Sequence, residues 1–236
     1  AGGTGVDPET QGWAKRTEQG IVVIKVVKIG RGEEELLQKI TRYTNSQNAV
    51  KEKDFIALES DFRTWKRDME EKYNIFLEIQ RGAWDSRRAW QKQHPGQKAF
   101  AEYANAFDLL KVYGASWLGE AGTAFGRNAD FLPNGAIFKR IVNNVDSPYP
   151  LDADDLYVAY QLQRAAEEYK FGRTGQNTRR LTRYLFYLVA IELLKTIMIR
   201  SELSVAPRDI TNALNKLFRS GEQHLLLDAA IEAIDE

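Results

Sequence analysis

Residues 58–82, LESDFRTWKRDMEEKYNIFLEIQRG, are the stretch that decides the fold class. Apolar residues recur in its first half at intervals of three and four, which predicts an amphipathic helix: Leu58, Phe62, Trp65 and Met69. Asn74 ends that pattern, and residues 75–80 are apolar or aromatic enough to predict a strand. Residues 82–85, GAWD, then predict a turn. A helix that leads into a strand indicates an α/β unit rather than a purely helical chain.

A second predicted strand lies upstream, in residues 21–29, IVVIKVVKI, which are largely β-branched. The turn at residues 30–32 and a helix that opens at Glu33 follow it. We therefore expect a small α/β region over residues 20–96, after a linker or boundary segment over residues 1–19. Since the chain opens AGGTG without an initial Met, we also expect a missing N-terminal part of the same protein as a partner.

Residues 97–236 predict a helical region. Aromatic and apolar residues follow helical spacing in its first part: Phe100, Tyr103, Phe107, Leu110 and Tyr113. Glycines break the pattern over residues 119–126, and the later helices are predicted over residues 137–145, 178–200, 207–219 and 223–234. Asp152 is a predicted helix N-cap, with Asp154 and Asp155 in the first turn. The whole chain therefore predicts an α+β fold that is predominantly helical.

Composition restricts the function classes. The 33 basic and 33 acidic residues balance, which argues against a surface that is basic throughout, although a local basic patch remains compatible. The chain has no cysteine and only two histidines, so thiolate zinc sites, disulfides and histidine clusters are excluded, and no cofactor is evident. The apolar run at residues 185–199 is short and contains charges, which favours a buried core helix over a membrane span. We expect no membrane partner and a cytoplasmic location.

Three segments carry a family resemblance. Residues 40–50, ITRYTNSQNAV, are followed by Asp54 and Phe55 and resemble the most distinctive run of the AIPR (abortive infection phage resistance) family. Residues 76–84 resemble that family's aromatic-Tyr-Glu-Arg-Lys-Arg-Gly-x-Trp stretch, and residues 107–125 with Phe138 resemble its Pro-Gly-x-Ala-Phe segment. The matches occur in the family's order and span about residues 20–145.

The resemblance has departures as well as matches. Leu77 and Gln80 stand where the family usually has Tyr and Lys, and Glu120-Ala121 stands where it usually has Pro. The family's upstream Asn-Gly-x-Gln-Thr motif is absent from this sequence. The resemblance therefore implies the C-terminal portion of a bacterial antiviral defence protein, and it implies no mechanism for particular residues.

Three polar or basic regions are candidate binding sites. Short polar side chains follow one another at a predicted helix end, with a nearby carboxylate: Thr44, Asn45, Ser46, Gln47, Asn48 and Asp54. They could bind a phosphate, a base edge or a partner backbone. They could instead form hydrogen bonds to the unpaired backbone groups of the helix end and the turn. Arginines interleaved with tryptophan form the second region, which suits either nucleic acid or a polar-rimmed surface with one anchored tryptophan: Arg81, Trp84, Arg87 and Arg88. Arg179 and Arg180 belong to a further basic group.

A catalytic alternative rests on Asp61, Glu78 and Gln80. Their order imitates the carboxylates and polar group with which Mg²⁺-dependent nucleases hold a metal and orient water. Solvated charges on a helix and a strand explain the same residues. The carboxylates Asp152, Asp154 and Asp155 could hold a cation, but helix capping explains them with fewer assumptions.

Three functions remain open from sequence. The chain could be a recognition or scaffold region of a phage-defence protein that contacts nucleic acid or a protein partner. It could be part of a Mg²⁺-dependent nuclease. It could also be a purely structural region that forms a homo-oligomer.

Overall fold

The computed structural model describes residues 56, 57, 59–100, 102–142, 150–169 and 177–235, apart from the side chains of residues 177–180 and 235. These residues all belong to one compact unit. The predicted strand at residues 21–29, the helix after Glu33 and the linker at residues 1–19 lie outside the described residues. The predictions made for them therefore stay predictions.

The described residues alternate helix and strand at first and are helical afterwards. Their elements are α1 Ser60–Lys72, β1 Ile75–Glu78, α2 Ala83–Gln93, β2 Glu102–Asn105, α3 Ala106–Ser116, α4 Ala121–Gly126, a 3-10 helix Asn128–Phe131, α5 Ala136–Ile141, α6 Ala153–Glu168, α7 Asn177–Arg200, α8 Pro207–Ser220 and α9 Gln223–Asp235. The prediction of a predominantly helical α+β fold is confirmed.

Helix α1 and strand β1 form as the sequence predicts. Phe62, Trp65 and Met69 are the buried residues of α1, because their spacing places them on one face. Asn74 takes a positive φ of 56°, which a short amide side chain tolerates, and the chain reverses into the strand there. Strand β1 ends at Glu78, two residues before the predicted end.

The two strands are parallel neighbours. The pairing runs from Ile75 opposite Glu102 to Glu78 opposite Asn105, so both strands end side by side. The prediction that Phe100 and Tyr103 belong to a helix is wrong, since Tyr103 lies in β2 and Phe100 precedes it. The three- and four-residue spacing there arose from a short strand that runs directly into α3. The sheet therefore spans the boundary that the sequence suggested near residue 96.

Helix α2 connects β1 to β2 as a crossover. The sequence predicted a turn over residues 82–85, but only the start of that segment turns, because Gly82 has a φ of 78° and α2 begins at Ala83. A residue with a side chain is strained at that φ. Similarly, the glycine-rich residues that predicted a break contain the short helix α4.

The main core lies among the helices beyond the sheet. Helix α3 packs against α6 and α7, and α7 also packs against α4 and α9. Large side chains with almost no exposed surface fill the space between them: Leu109, Leu110, Leu156, Leu162, Phe186 and Tyr187. The long apolar helix is thus a core helix, as predicted. Within the described part of the chain, no helix is long and apolar enough to cross a membrane.

Asp152 caps α6 as predicted. Its carboxylate accepts hydrogen bonds from the backbone N–H groups of Asp154 and Asp155, and Asp155 in turn accepts one from the N–H of Asp152. Asp155 also accepts a hydrogen bond from the Thr211 hydroxyl, which ties α6 to α8. Asp152 and Asp155 therefore cap the helix start, in line with the capping interpretation, whereas the Asp154 carboxylate accepts hydrogen bonds from Lys72 and Tyr73.

Candidate functional site

A pocket of about 160 Å³ opens where the two parallel strands end. In open sheets of parallel strands, ligands commonly bind outside the carboxyl ends of the strands. We call this cavity the strand-end pocket, and its lining combines a polar edge with an apolar wall: Ile56, Glu78, Ile79, Gln80, Arg81, Asn105, Ala106, Phe107 and Asp108. Strand β1 with its following turn and the β2–α3 junction supply most of these residues.

Hydrogen bonds hold Glu78 in a defined orientation in this pocket. Its Oε1 accepts the backbone N–H of Trp84 at 3.1 Å, and its Oε2 accepts the Asn105 amide at 3.2 Å. Asn105 is the N-cap of α3, where its side-chain oxygen accepts the N–H of Asp108 at 3.2 Å. The acid at the end of β1 is thus connected to the start of both following helices.

The strand-end pocket contains two of the three nuclease candidates. Glu78 and Gln80 line it, whereas Asp61 lies on α1 and is not among the lining residues. The sequence missed Asp108, which brings a second carboxylate to the pocket from α3. In the described portion of the chain, no three His, Asp or Glu side chains are grouped so that they could hold a metal.

A larger cleft of about 500 Å³ lies between α1 and α2. We call it the basic cleft, and cations predominate among its lining residues: Arg63, Lys66, Arg67, Glu70, Glu71, Phe76, Arg87, Lys98 and Phe100. Helix α1 supplies the first five, and the start of β1, α2 and the segment before β2 supply the others. Five cations against two carboxylates leave a net charge of +3 on this lining.

Aromatic rings and backbone carbonyls position the cations of the basic cleft. The Lys66 ammonium lies 3.7 Å from the centroid of the Phe76 ring, a cation–π distance. The Arg87 guanidinium lies 4.4 Å from the Trp90 ring and donates a hydrogen bond of 2.9 Å to the Lys98 carbonyl. Lys98 donates to the Glu70 carbonyl at 2.8 Å. These contacts order the cations before any ligand binds.

Ion pairs in and beside the basic cleft are local and at least partly exposed to solvent. Lys66 pairs with Glu70 one helical turn away, and Arg67 contacts Asp68 at 3.0 Å. Surface pairs of this kind contribute about 0–1 kcal/mol each, so a phosphate can replace the carboxylate at little cost.

The structure separates the arginines that the sequence grouped together. Arg87 lines the basic cleft, Arg81 lines the strand-end pocket, and Arg88 is exposed on α2 outside both linings. Trp84 is 9% exposed, and its ring stacks on Tyr103 at 5.0 Å and contacts Phe76 at 5.5 Å. Trp84 therefore packs in a small core over the sheet, a role for which the sequence offered no distinguishing signal.

Four cations of the basic cleft were missed from sequence: Arg63, Lys66, Arg67 and Lys98. The first three lie at spacings of three and four residues on α1, a signal that was present in the sequence. Lys98 lies far along the chain and joins them only through the fold. Other predicted binding residues lie outside the described part: Thr44, Asn45, Ser46, Gln47, Asn48, Asp54 and the side chains of Arg179 and Arg180.

A third groove borders β2 and shares Asn105 and Asp108 with the strand-end pocket. Two side chains of α6 bind the Glu102 carboxylate of β2 in this groove. The Tyr160 hydroxyl donates a hydrogen bond to it at 2.7 Å, and the Arg164 guanidinium donates one at 3.2 Å. Burial and the neighbouring Glu102 carboxylate raise the pKa of Tyr160 to about 12. Tyr160 therefore stays protonated at neutral pH and ties α6 to β2.

Comparison with known proteins gives one family. A family model with the description AIPR protein matches residues 9–228. No curated protein and no solved structure matches the chain.

Proposed function

Because this chain belongs to the AIPR family, we propose that it acts in phage resistance as a recognition region that contacts nucleic acid through the basic cleft. Family membership supports the role in abortive infection and phage resistance. The net positive lining of the basic cleft is the observation that supports nucleic-acid contact. A cytoplasmic site of action is part of the same proposal.

Phosphate groups are the ligands that the basic cleft suits best. Arg63, Arg67 and Arg87 offer guanidinium groups that can donate two parallel hydrogen bonds to a phosphate, and Lys66 and Lys98 add compact charges. A local basic surface on a chain of zero net charge attracts a polyanion to one face. Contacts of this kind supply most of the sequence-independent affinity for nucleic acid and weaken as salt rises.

Base stacking is a poor explanation for this cleft. Phe76 and Phe100 are each 6% exposed, and cations lie over both rings. Their faces are therefore not available to a base. The basic cleft is suited to the backbone of a strand, and any sequence preference would come from another part of the chain.

The proposal is tested with the double variant Arg63→Ala/Arg67→Ala. We expect short DNA and RNA strands, single and double, to bind the native chain with an affinity that falls with salt. The variant should bind roughly tenfold more weakly at low salt, with a log–log salt slope smaller by about 0.9 for each lost phosphate contact. Fluorescence anisotropy across a salt series measures both quantities.

The matched control is Arg200→Ala/Arg219→Ala, which removes the same charge from two exposed positions on α7 and α8. Equal loss of affinity in both variants would show that net charge rather than the basic cleft is responsible. Absence of binding at low salt would contradict nucleic-acid contact. Self-association of the chain in that case would favour the structural, oligomer-forming alternative.

A Mg²⁺-dependent nuclease is the second candidate. The observation in its favour is that Glu78, Gln80 and Asp108 line one pocket at the strand ends. The carboxylates would share a Mg²⁺ ion, which prefers oxygen ligands, and Gln80 would orient water. Shortening of a labelled strand in the presence of Mg²⁺, and its loss in Glu78→Gln, would favour this candidate over recognition alone.

A further inference from the structure

We propose that the strand-end pocket binds an unpaired guanine base. The inference rests on the proposed contact with nucleic acid, and it adds a source of base preference that the basic cleft lacks. The two sites lie on different parts of the sheet unit: strand-end residues line the pocket, whereas α1, α2 and the segment before β2 line most of the cleft.

The size and walls of the pocket suit one flat ring system. Its volume is about 160 Å³, and since a buried cavity of about 150 Å³ holds benzene, the pocket can take one ring of a purine while the other ring extends toward its open side. Ile56 and the half-buried Phe107 provide apolar surface for a base face, and the polar residues stand along one edge. Sequence-specific proteins commonly take unstacked bases into such sites, where side chains contact the edge and an aromatic ring contacts the face.

Glu78 selects the hydrogen-bonding edge. Each of its carboxylate oxygens already accepts one internal hydrogen bond, from Trp84 or Asn105, and each retains a further lone pair. A carboxylate accepts and cannot donate, so it pairs best with two donors placed side by side. Guanine has such donors in its ring N1–H and its exocyclic amine. Adenine, cytosine and uracil place an acceptor beside their donor, which a carboxylate repels.

Arg81 complements the other edge of the same base. Arg81 lines the pocket two residues beyond Ile79 and is exposed, so its guanidinium can move toward a ligand. Arginine binds the O6 and N7 acceptors of guanine with two hydrogen bonds, which is the commonest specific contact between a side chain and a base. Glu78 and Arg81 therefore supply the acceptors and the donors that the two edges of guanine require.

The test compares guanosine monophosphate with inosine monophosphate. The two nucleotides differ only in the exocyclic amine, which inosine lacks, so the second donor to Glu78 is missing. We expect the guanosine nucleotide to bind roughly tenfold more tightly, since one hydrogen bond to a charged group is lost. Adenosine, cytidine and uridine monophosphates should bind more weakly still. Isothermal titration without added metal measures all five nucleotides.

Two pairs of variants separate the roles. Glu78→Gln should bring the affinities for the guanosine and inosine nucleotides within about twofold of each other, whereas Glu232→Gln, an exposed position on α9, should leave the tenfold ratio intact. Arg81→Ala should weaken both nucleotides equally, and Arg88→Ala should weaken neither. Because Arg81 is exposed, its variant tests the pocket even where Glu78→Gln unfolds the chain.

The outcomes distinguish this inference from the proposed function. Equal binding of the two nucleotides, a preference that survives Glu78→Gln, binding that requires Mg²⁺, or no binding of any mononucleotide would each overturn the guanine assignment. The variant Arg63→Ala/Arg67→Ala should keep the nucleotide ratio while it loses strand affinity. If strands bind but mononucleotides show no guanine preference, the proposal for the basic cleft stands and the guanine proposal for the pocket fails. If mononucleotides bind with a guanine preference but strands do not bind, the pocket proposal stands and the proposed strand contact of the basic cleft fails.

Discussion

Gly114 shows how one residue limits the packing of the main helical core. It lies in α3, and a Cβ placed on it would approach the Phe131 ring to 2.6 Å, well inside van der Waals contact. Phe131 has no exposed surface, so its ring cannot move outward to make room. Glycine is unfavourable within a helix, and its presence here is explained by this close approach.

We predict that Gly114→Ala lowers the free energy of unfolding by about 1–3 kcal/mol, because overpacking outweighs the gain in helix propensity. Gly122→Ala is the matched control, since Gly122 lies in the short helix α4 and has open space around its Cβ position. That variant should be neutral or slightly stabilising. Urea unfolding of both variants measures the difference, and a stabilising Gly114→Ala would contradict the packing argument.

At the scale of elements, Asp155 joins α6 to α8, and its burial lowers the stability of the folded chain by an amount that depends on pH. It is 4% exposed and accepts hydrogen bonds from Thr211 and from the backbone of Asp152. Burial, the largest cause, raises its pKa to about 6, and the nearby Asp152 carboxylate also raises it, while the Thr211 hydroxyl and Arg208 favour the charged form. The folded chain therefore binds a proton here more tightly than the unfolded chain.

The sign of the pH effect follows from that difference. Below pH 3.8 both states are protonated at Asp155 and the group contributes no penalty. Between pH 3.8 and about 6 the folded state retains the proton and the unfolded state loses it, so stability falls as pH rises. Above about pH 6 the full penalty is present, up to about 3 kcal/mol.

We predict that, relative to Asp155→Asn, the native chain is more stable at pH 4 than at pH 7. Denaturant unfolding of both chains at the two pH values gives the difference, in which other titrating groups largely cancel. Asp209→Asn serves as the control, because Asp209 is a half-buried acid on α8, the helix to which Asp155 is hydrogen-bonded. If the difference in free energy of unfolding between the native chain and Asp155→Asn is the same at pH 4 and pH 7, the pKa of Asp155 is not raised.

At the scale of the whole molecule, the described residues form two separate groups of buried side chains, which support different parts of the candidate site. The main core fills the space between the helices, and a small core of Phe76, Trp84 and Phe100 lies over the sheet. Phe76 and Phe100 also line the basic cleft, whereas Trp84 does not. The small core thus shapes the cleft without presenting Trp84 to a ligand.

We predict that Trp84→Phe lowers the free energy of unfolding by about 1–2 kcal/mol and leaves strand affinity within about twofold of the native value. The smaller ring loses contact with Tyr103 and Phe76 but removes no charge from the basic cleft. Thermal unfolding and anisotropy measure the two effects. A large loss of affinity in a variant that remains folded would show that the Trp84 ring contacts the ligand directly.

The sequence by itself determined what depends on near neighbours along the chain. The spacing of Phe62, Trp65 and Met69 predicted α1, and Asp152 predicted the start of α6, because a helix brings residues three and four apart together and a cap bonds within three residues. Helices α7, α8 and α9 followed from the same periodicity. The family resemblance was also visible in the sequence, in the order of three motifs.

Tertiary structure alone decided which distant residues meet. Glu78 and Asn105 are brought together by a parallel pairing that needs a crossover helix, and no local pattern specifies that partner. The same holds for Lys98, which reaches the arginines of α1 only because the chain returns past α2 to begin β2. Trp84 likewise became a core residue through contacts with Phe76 and Tyr103. Local spacing determines which face a side chain occupies, whereas the strand pairing determines what that face meets.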